Sequence, residues 1–380
     1  MLRFLPFVFC LYLGLGSASL QAQLSEAYFR SIDGEFDSFY PTDRVELAAR
    51  GVRLVTDTYG PLVVAEGRTD YSTPEHRHPW SSWFFPLARE ELFEGNSSPL
   101  AKFDRAVGQF GFARTFAQEI HERNIHDPRA EPSDGFCAAL AYASVMDTRL
   151  KRILTPVSVR GVCFTPRDLK ALSLLTYEAV EASKWNGRFG QRFDIAGPRA
   201  RGALARDIYP AEFHRFVQVQ LGDRKVPFIM DADASHAVWK YAVFRASVEV
   251  RRKAGDPNAA QVAMNVEYAK AQLTREEQLR DTTNNIGLLP INRTYYYELY
   301  GEWRGSNFHV RTQGVASRWA GQERLYHPDF VEEFPGAGDL EGRGKQIIEA
   351  ERGSRRNTDL RKEFVDLIIQ EAVAAQPCRP

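Results

Sequence analysis

Three residues in the chain, Cys137, His214 and Asp231, have the side-chain types and the order of a cysteine acyl-transfer triad. Such a triad uses a thiolate as nucleophile, an imidazole as general base, and a carboxylate that orients the imidazole. Their order along the chain suits a nucleophile at the start of a helix, followed by a base and an orienting acid on two neighbouring strands. We therefore predict an enzyme that works through a covalent thioester.

The stretch Ser133 to Cys137 reads as a loop that runs directly into an apolar helix. Ser133 or Asp134 is expected to cap this helix, and Gly135 allows a tight turn before it. Cys137 then falls in the first helical turn, where unpaired amides and the helix dipole favour the thiolate, so a lowered thiol pKa is predicted. Taken alone, a cysteine in such a place in an exported protein is more often half of a disulfide.

The base and the acid are predicted to lie on an antiparallel hairpin. Phe213–Leu221 and Val226–Met230 alternate in the manner of strands, with a turn at residues 222–225 between them. This hairpin would bring His214 near Asp231. Asp233 is the alternative orienting acid, and Asp231 is preferred because it directly follows a continuous apolar run.

Residues 1–22 have the layout of a secretory signal peptide. One basic residue, Arg3, precedes the apolar run Phe4–Leu15, which is followed by small residues and an expected cleavage site near Ala22. This run is too short to span a bilayer, and no later stretch reaches that length. We predict a secreted or periplasmic protein in which residues 23–380 form one catalytic domain.

The charge balance bears on the class of partner, and the cysteine content bears on which cysteine can act as a nucleophile. The chain has 49 basic and 49 acidic residues, so the net charge gives no support for a nucleic-acid partner. Beyond the leader, which contains Cys10, the cysteines are Cys137, Cys163 and Cys378. An odd thiol in an oxidising compartment needs a reason to stay free. We predict a Cys163–Cys378 disulfide that leaves Cys137 free for catalysis.

The remaining periodicity predicts helices first and a mostly antiparallel sheet afterwards, which is the α+β class. The helices are expected at 98–122, at 137–146, from Thr165–Pro166 onward, and at 359–372, with Asn357 or Thr358 as the cap of the last. The later strands are expected at 238–250, 262–266 and 295–299, and a glycine-rich loop at 336–344.

Several motifs resemble the transglutaminase elicitor family, secreted enzymes of oomycetes with bacterial relatives. The resembling segments are His76–Leu87, Ser98–Asp104, Gly135–Cys137, Gly161–Leu172, Arg206–Asp207 with Phe213–His214, Asp231–Asp233, Ala237–Trp239, Gly301–Trp303 and His327–Phe330. The resemblance implies a papain-like, transglutaminase-type catalytic core. It also implies a calcium-assisted protein-glutamine γ-glutamyltransferase that acts on proteins bearing glutamine and lysine, with Cys137 as nucleophile, His214 as base and Asp231 as orienter.

The chain also departs from the family around the nucleophile. Ser133 and Ala138 stand where the family usually has a tryptophan and a histidine, and Ala205 replaces one cysteine of a family pair. These departures favour the alternative of a non-catalytic secreted elicitor-like binding protein. Two further alternatives use the same residues: a deamidase, if water opens the thioester, and a protease, if a backbone amide is attacked.

Overall fold

Helices in the first half of the chain pack beside a large antiparallel sheet formed by the second half, so the fold is α+β. The computed structural model describes residues 53–182, 187–190, 208–232, 239–319, 327–333 and 343–379. The predicted signal peptide, Asp233 and residues 336–342 of the predicted glycine-rich loop lie outside these ranges, whereas residues 343 and 344 of that loop are helical. The predicted α+β class is confirmed.

The helices, numbered in chain order, are mostly short. They are α1 (Val55–Tyr59), α2 (Pro99–Gln109), α3 (Ala117–Asn124), α4 (Cys137–Met146), α5 (Pro166–Leu175), α6 (Glu178–Ala182), α7 (Pro210–Val217), α8 (Arg275–Thr283), α9 (Arg343–Glu351) and α10 (Lys362–Ala374). The predicted opening of α5 is confirmed, because the Thr165 side chain accepts a hydrogen bond from the Asp168 N–H in a capping box.

Ten of the described strands form one sheet and two form a separate hairpin. They are β1 (Val63–Ala65), β2 (Gly67–Ser72), β3 (Val157–Val159), β4 (Val162–Phe164), β5 (Arg188–Gly190), β6 (Phe228–Asp231), β7 (Lys240–Arg252), β8 (Ala259–Ala269), β9 (Pro290–Arg304), β10 (Asn307–Val310), β11 (Ser317–Trp319) and β12 (Phe330–Glu332). The main order is β1-β10-β9-β8-β7-β6-β12-β5, with β2 also on β7 and β11 also on β9.

The long strands β7, β8 and β9 form the middle of the sheet and hold the site in place. In β8 every second residue from Ala260 to Tyr268 is buried, so one face of the strand is covered. Strand β7 contacts helix α4, whose residues from Ala139 to Val145 are also buried. The three strands predicted at 238–250, 262–266 and 295–299 are confirmed as β7, β8 and β9. Strands β8 and β9 are longer than predicted.

The long helix predicted at 98–122 is wrong in its length, since the structure divides this segment into α2 and α3. Helix α2 begins as expected, with Ser98 accepting a hydrogen bond from the Ala101 N–H and Pro99 at the first helical position. It ends before Gly111, whose φ of 79° lies in the left-handed region that a helix does not use. The apolar periodicity continues across that break, which is why the sequence pattern missed it.

The strand predicted at Phe213–Leu221 is also wrong. Residues Pro210–Val217 form α7, and Gln218–Asp223 continue it as a π-helical turn. Phe213, Phe216, Val217 and Leu221 are all buried and share helical spacing. Proline at the start of α7 supports the helix as well. The second strand of the predicted hairpin, Val226–Met230, corresponds to β6, which pairs with β7 and β12.

A disulfide joins Cys163 of β4 to Cys378 in the C-terminal tail, as predicted. The Cys378 N–H also donates to the Pro156 carbonyl at 3.0 Å, and the Ser158 N–H donates to Gln376 at 3.0 Å. The tail therefore adds to the edge of the β3–β4 hairpin through backbone bonds as well as through sulfur.

The final helix α10 begins at Lys362, three residues later than predicted. Its N-cap is Arg361, which makes no side-chain cap hydrogen bond, so neither Asn357 nor Thr358 caps it. Asn357 instead accepts from the Leu360 N–H and donates to the Ala117 carbonyl. Across the described ranges, the helices are all too short or too polar to cross a membrane.

Candidate active site

Cys137 is the first residue of α4, and the chain segment before it is held by a neighbouring extended segment. The Phe136 N–H donates to the Phe84 carbonyl at 2.9 Å, and the Leu87 N–H donates to the Asp134 carbonyl at 2.8 Å. A Cβ atom at Gly135 would lie 2.6 Å from the Phe84 ring. Glycine is thus required here by close packing, which fixes the approach of the chain to the nucleophile.

The start of α4 lacks the predicted side-chain cap. The N-cap is Phe136, without a side-chain hydrogen bond, so the expectation that Ser133 or Asp134 caps this helix is wrong. The antiparallel bridge between Pro86 and Gly135 holds the helix entry by backbone pairing instead. Backbone pairing of this kind leaves no pattern in the local sequence that reading the stretch in isolation could reveal.

Burial raises the pKa of the Cys137 thiol, which corrects the prediction of a lowered value. The residue is only 6% exposed, so desolvation of the thiolate outweighs the helix start. Hydrogen bonds from the backbone N–H groups of Lys240 and Ala138, together with the Lys240 ammonium, act in the opposite direction. The Asp231 carboxylate adds to the increase in pKa.

Asp231 lies at the end of β6, directly across from Lys240 at the start of β7. It is fully buried, and one carboxylate oxygen accepts the Trp239 N–H at 3.0 Å. Its charge acts on the Cys137 thiol and raises the thiol pKa, so the carboxylate and the thiol are close enough to interact. Asp233, the alternative acid, lies outside the described residues.

A buried ionic cluster, formed by Lys240, Glu332, Arg188 and Tyr142, lies beside the nucleophile. The Lys240 ammonium is 3.3 Å from both oxygens of Glu332, which also accept from the Tyr142 hydroxyl at 2.7 Å and from Arg188 Nε at 2.8 Å. Burial favours the neutral form of Glu332, but the charges of Lys240 and Arg188 are stronger and leave its pKa lowered. We call these four residues the ionic cluster.

The ionic cluster is not apparent from the sequence alone. Its members come from α4, β5, β7 and β12, so only the strand order brings them together. The available signal was a charged residue, Glu332, directly after the apolar pair Phe330–Val331, where all three positions prove buried. A charge in such a run indicates a buried partner, although the sequence does not say which one.

His214 lies on α7 and faces a different part of the molecule. Its Nδ1 shares a hydrogen bond of 2.9 Å with the Tyr297 hydroxyl, and the two rings meet edge to face. Burial lowers the pKa of His214 to about 3, with no charged group contributing. Within the described ranges, no hydrogen bond or ring contact joins His214 to Cys137 or Asp231.

Calcium, implied by the resemblance, finds no matching donor set in the part of the chain that the structure describes. No group of three or more His, Cys, Asp or Glu side chains in those ranges could hold a metal ion. Calcium sites need several oxygen donors, mostly from carboxylates and carbonyls. We therefore derive no step through calcium.

The fold has a solved counterpart. The crystal structure of the GP42 transglutaminase from Phytophthora sojae matches with a TM-score of 0.51 and 15% sequence identity, over 84% of this chain and 96% of that chain. No protein-family model matches the chain, and no curated protein sequence does either. At this identity the likeness shows the fold, and this chain therefore has a transglutaminase-like scaffold.

Proposed function

We propose that the protein is a protein-glutamine γ-glutamyltransferase whose nucleophile is Cys137. The observation that carries the proposal is a cysteine outside the disulfide, at the first position of a helix and within reach of the charge of a buried carboxylate, on a transglutaminase-like fold. Cys163 and Cys378 are joined in a disulfide, so neither can serve as nucleophile.

The reaction proceeds in two acyl transfers. The Cys137 sulfur attacks the carboxamide carbon of a glutamine side chain, a C–S bond forms, the C–N bond breaks, and ammonia leaves after taking up a proton. The amine of a lysine then attacks the thioester carbon, the isopeptide C–N bond forms, the C–S bond breaks, and the proton that the amine loses returns to the leaving sulfur. Backbone N–H groups at the start of α4 are the simplest donors to the oxygen of each tetrahedral intermediate.

The mechanism also needs a group that removes the proton of the Cys137 thiol and returns it later. The thiol must lose a proton although burial raises its pKa, so a base beside it is required. The role of base that the resemblance assigns to His214 stays a prediction, as does the role of orienter for Asp231. Lys240 assists this deprotonation, because its positive charge favours the thiolate.

The location and the partners follow from the same proposal. The Cys163–Cys378 disulfide fits an oxidising compartment, and we propose that residues 1–22 direct export to the cell exterior or periplasm. The proposed substrates are proteins that present a glutamine and a lysine. Calcium dependence stays a prediction, to be tested by activity with and without a chelator.

Incorporation of a labelled primary amine into a glutamine-containing protein tests the function. The wild type should incorporate the amine, Cys137→Ala should not, and the Cys163→Ala/Cys378→Ala double variant should do so at a temperature where it is folded. Ammonia release without amine incorporation would identify a deamidase. Neither product from the folded wild type would favour the non-catalytic binding protein, for which the buried thiol with its raised pKa is the supporting observation.

A second assay compares two histidines for the role of base. His214→Gln should abolish most transfer if the triad predicted from sequence is correct, since general base catalysis supplies about a hundred- to ten-thousand-fold. His236→Gln serves as the matched variant, because the chain places this residue between Asp231 and Lys240 in sequence, although it lies outside the described residues. Loss of transfer in the His236 variant alone would reassign the base.

A further inference from the structure

A pocket of about 620 Å³ is lined by residues of the segment 83–91, by Arg167 of α5 and by residues in and just before α8. Its lining includes three arginines, one glutamate and three large apolar side chains: Arg89, Arg167, Arg275, Glu91, Trp83, Leu273 and Leu279. Positive charge therefore dominates a concave, partly apolar surface, which is typical of a site for an anionic group carried on a larger ligand.

Two of the arginines have no counter-ion. In the described structure, the side chains of Arg89 and Arg275 make no hydrogen bond and no ion pair, and both residues are exposed at the rim. Arg167 is already engaged, since it pairs with Glu91 and donates to Gln278 at 3.3 Å. The rim charges are thus available to a ligand, while Arg167 holds the wall behind them.

Donors also exceed acceptors in the wall of the pocket. The indole N–H of Trp83 and the Nε–H of Arg167 are buried and have no hydrogen-bond acceptor in the described structure. The Gln278 amide is used on both sides, accepting from Arg167 and donating to the Leu273 carbonyl. A ligand that fits this wall brings oxygen acceptors, which a carboxylate does.

The pocket is connected to the nucleophile through aromatic contacts. The Trp83 ring lies 4.7 Å from the Phe84 ring, and Phe84 lies 5.1 Å from Trp239, measured between ring centroids. Phe84 also accepts the N–H of Phe136, the residue before Cys137. The wall of the pocket therefore adjoins the segment that enters α4, and we expect a peptide whose glutamine is at the thiol to reach the pocket with a neighbouring side chain.

We infer that this pocket, with Arg89 and Arg275 at its rim, binds an acidic side chain of the protein substrate, close to the reactive glutamine. The inference rests on the proposed function for the identity of the ligand. It also requires only binding, so it can be tested without turnover. The preferred substrates are glutamine-containing segments with a glutamate or aspartate a few residues away.

The binding test uses the Cys137→Ala background and fluorescence polarisation. The probes are a fluorescein-labelled peptide with one glutamine and one glutamate, and its twin in which the glutamate is replaced by alanine. The glutamate peptide should bind about five- to tenfold more tightly at low salt, and this preference should shrink as salt rises. The Arg89→Gln/Arg275→Gln double variant should remove the preference, and both changes are at exposed positions that the fold tolerates.

Arg304→Gln is the matched control, because Arg304 is an exposed arginine at the end of β9 that pairs with Glu302, outside the pocket lining. It should leave the preference unchanged. Equal affinity for the two peptides, or a preference that survives in the double variant, would overturn the inference. An equal loss for both peptides in the double variant would overturn it too, since that result indicates general charge attraction.

A kinetic assay separates this inference from the proposed function. In the wild type, the glutamate peptide should have the lower KM and an unchanged kcat, and the double variant should raise that KM to the value of the twin. Transfer to both peptides with the same KM would contradict the inference about the pocket but would support the transferase activity. If neither peptide is transferred but the glutamate peptide still binds more tightly, the proposed transferase activity is contradicted and the inference about the pocket is supported.

Discussion

The surroundings of Cys137 and those of His214 differ in kind, although both residues are buried. Around Cys137 the structure places Asp231, Lys240 and the rest of the ionic cluster, so charges of both signs act on the thiol. Around His214 it places the Tyr297 ring and hydroxyl, and burial alone shifts the imidazole pKa. The first region is built to influence ionisation, whereas the second keeps a side chain neutral.

The difference shows what residue type and order can establish. The sequence predicts a strand that ends close to Asp231, and β6 ends at this residue, whose charge acts on the Cys137 thiol. His214 was placed on a strand, but it lies on α7, which turns its side chain toward β9 and Tyr297. When the secondary structure of a residue is predicted wrongly, its side chain is expected at the wrong place, even if its residue type suits the function.

The largest expected effect is on the ionic cluster. Lys240→Met should reduce the free energy of unfolding by about 3–5 kcal/mol, because it leaves the buried Glu332 with one fewer cation. Arg188 remains with Glu332, so the lower part of that range is expected. Denaturant unfolding of variant and wild type measures the effect.

The matched variant for Lys240→Met is Arg68→Met. Arg68 pairs with Asp70, but 68% and 60% of their side-chain surfaces are exposed. Its loss should change the free energy of unfolding by less than about 0.5 kcal/mol. Similar effects of the two variants would erase the distinction between the ionic cluster and an ordinary surface pair.

The next effect concerns acid stability near His214. Its pKa falls from 6.5 to about 3 on folding, so the stability that it contributes is present above pH 6.5 and is lost as the pH falls toward 3. Between pH 7 and pH 4 the loss is about 3 kcal/mol. Unfolding of His214→Gln across this range should show a correspondingly smaller loss. An unchanged slope would mean that His214 is charged or accessible in the folded protein.

The smallest expected effects are shifts in the thiol pKa, and their signs distinguish the two regions. Asp231→Asn should lower the pKa of Cys137, Lys240→Met should raise it, and His214→Gln should leave it unchanged. The rate of iodoacetamide modification as a function of pH measures each value, because Cys137 is the cysteine of the described residues that is outside the disulfide. A clear shift of the Cys137 pKa in the His214 variant would show that His214 interacts with the thiol, contrary to this comparison.

Much of the fold could be predicted because local signals were strong. The opening of α5 followed from Thr165 and Pro166, and the extent of α4 from its continuous apolar run. The disulfide followed from the odd number of cysteines once Cys137 was assigned to catalysis. These features depend on few residues or on residue type.

The site was predicted less well because it depends on contacts distant in sequence. The raised pKa of Cys137 depends on burial by β7, and the entry to α4 depends on Phe84. The cation beside the thiol, Lys240, pairs with Glu332, 92 residues further along the chain. Neither the depth of burial nor such a pairing is encoded in the residues next to Cys137.

The central claim, that Cys137 carries the acyl group, is tested most directly by trapping the thioester. The protein is mixed with a glutamine peptide in the absence of amine, quenched in acid, and analysed by intact mass and peptide mapping. We predict an adduct on Cys137 with the mass of the peptide less ammonia, which disappears when a primary amine is added and is missing in Cys137→Ala. A folded wild type that turns over the peptide with no adduct, or an adduct that persists in the alanine variant, would contradict the account.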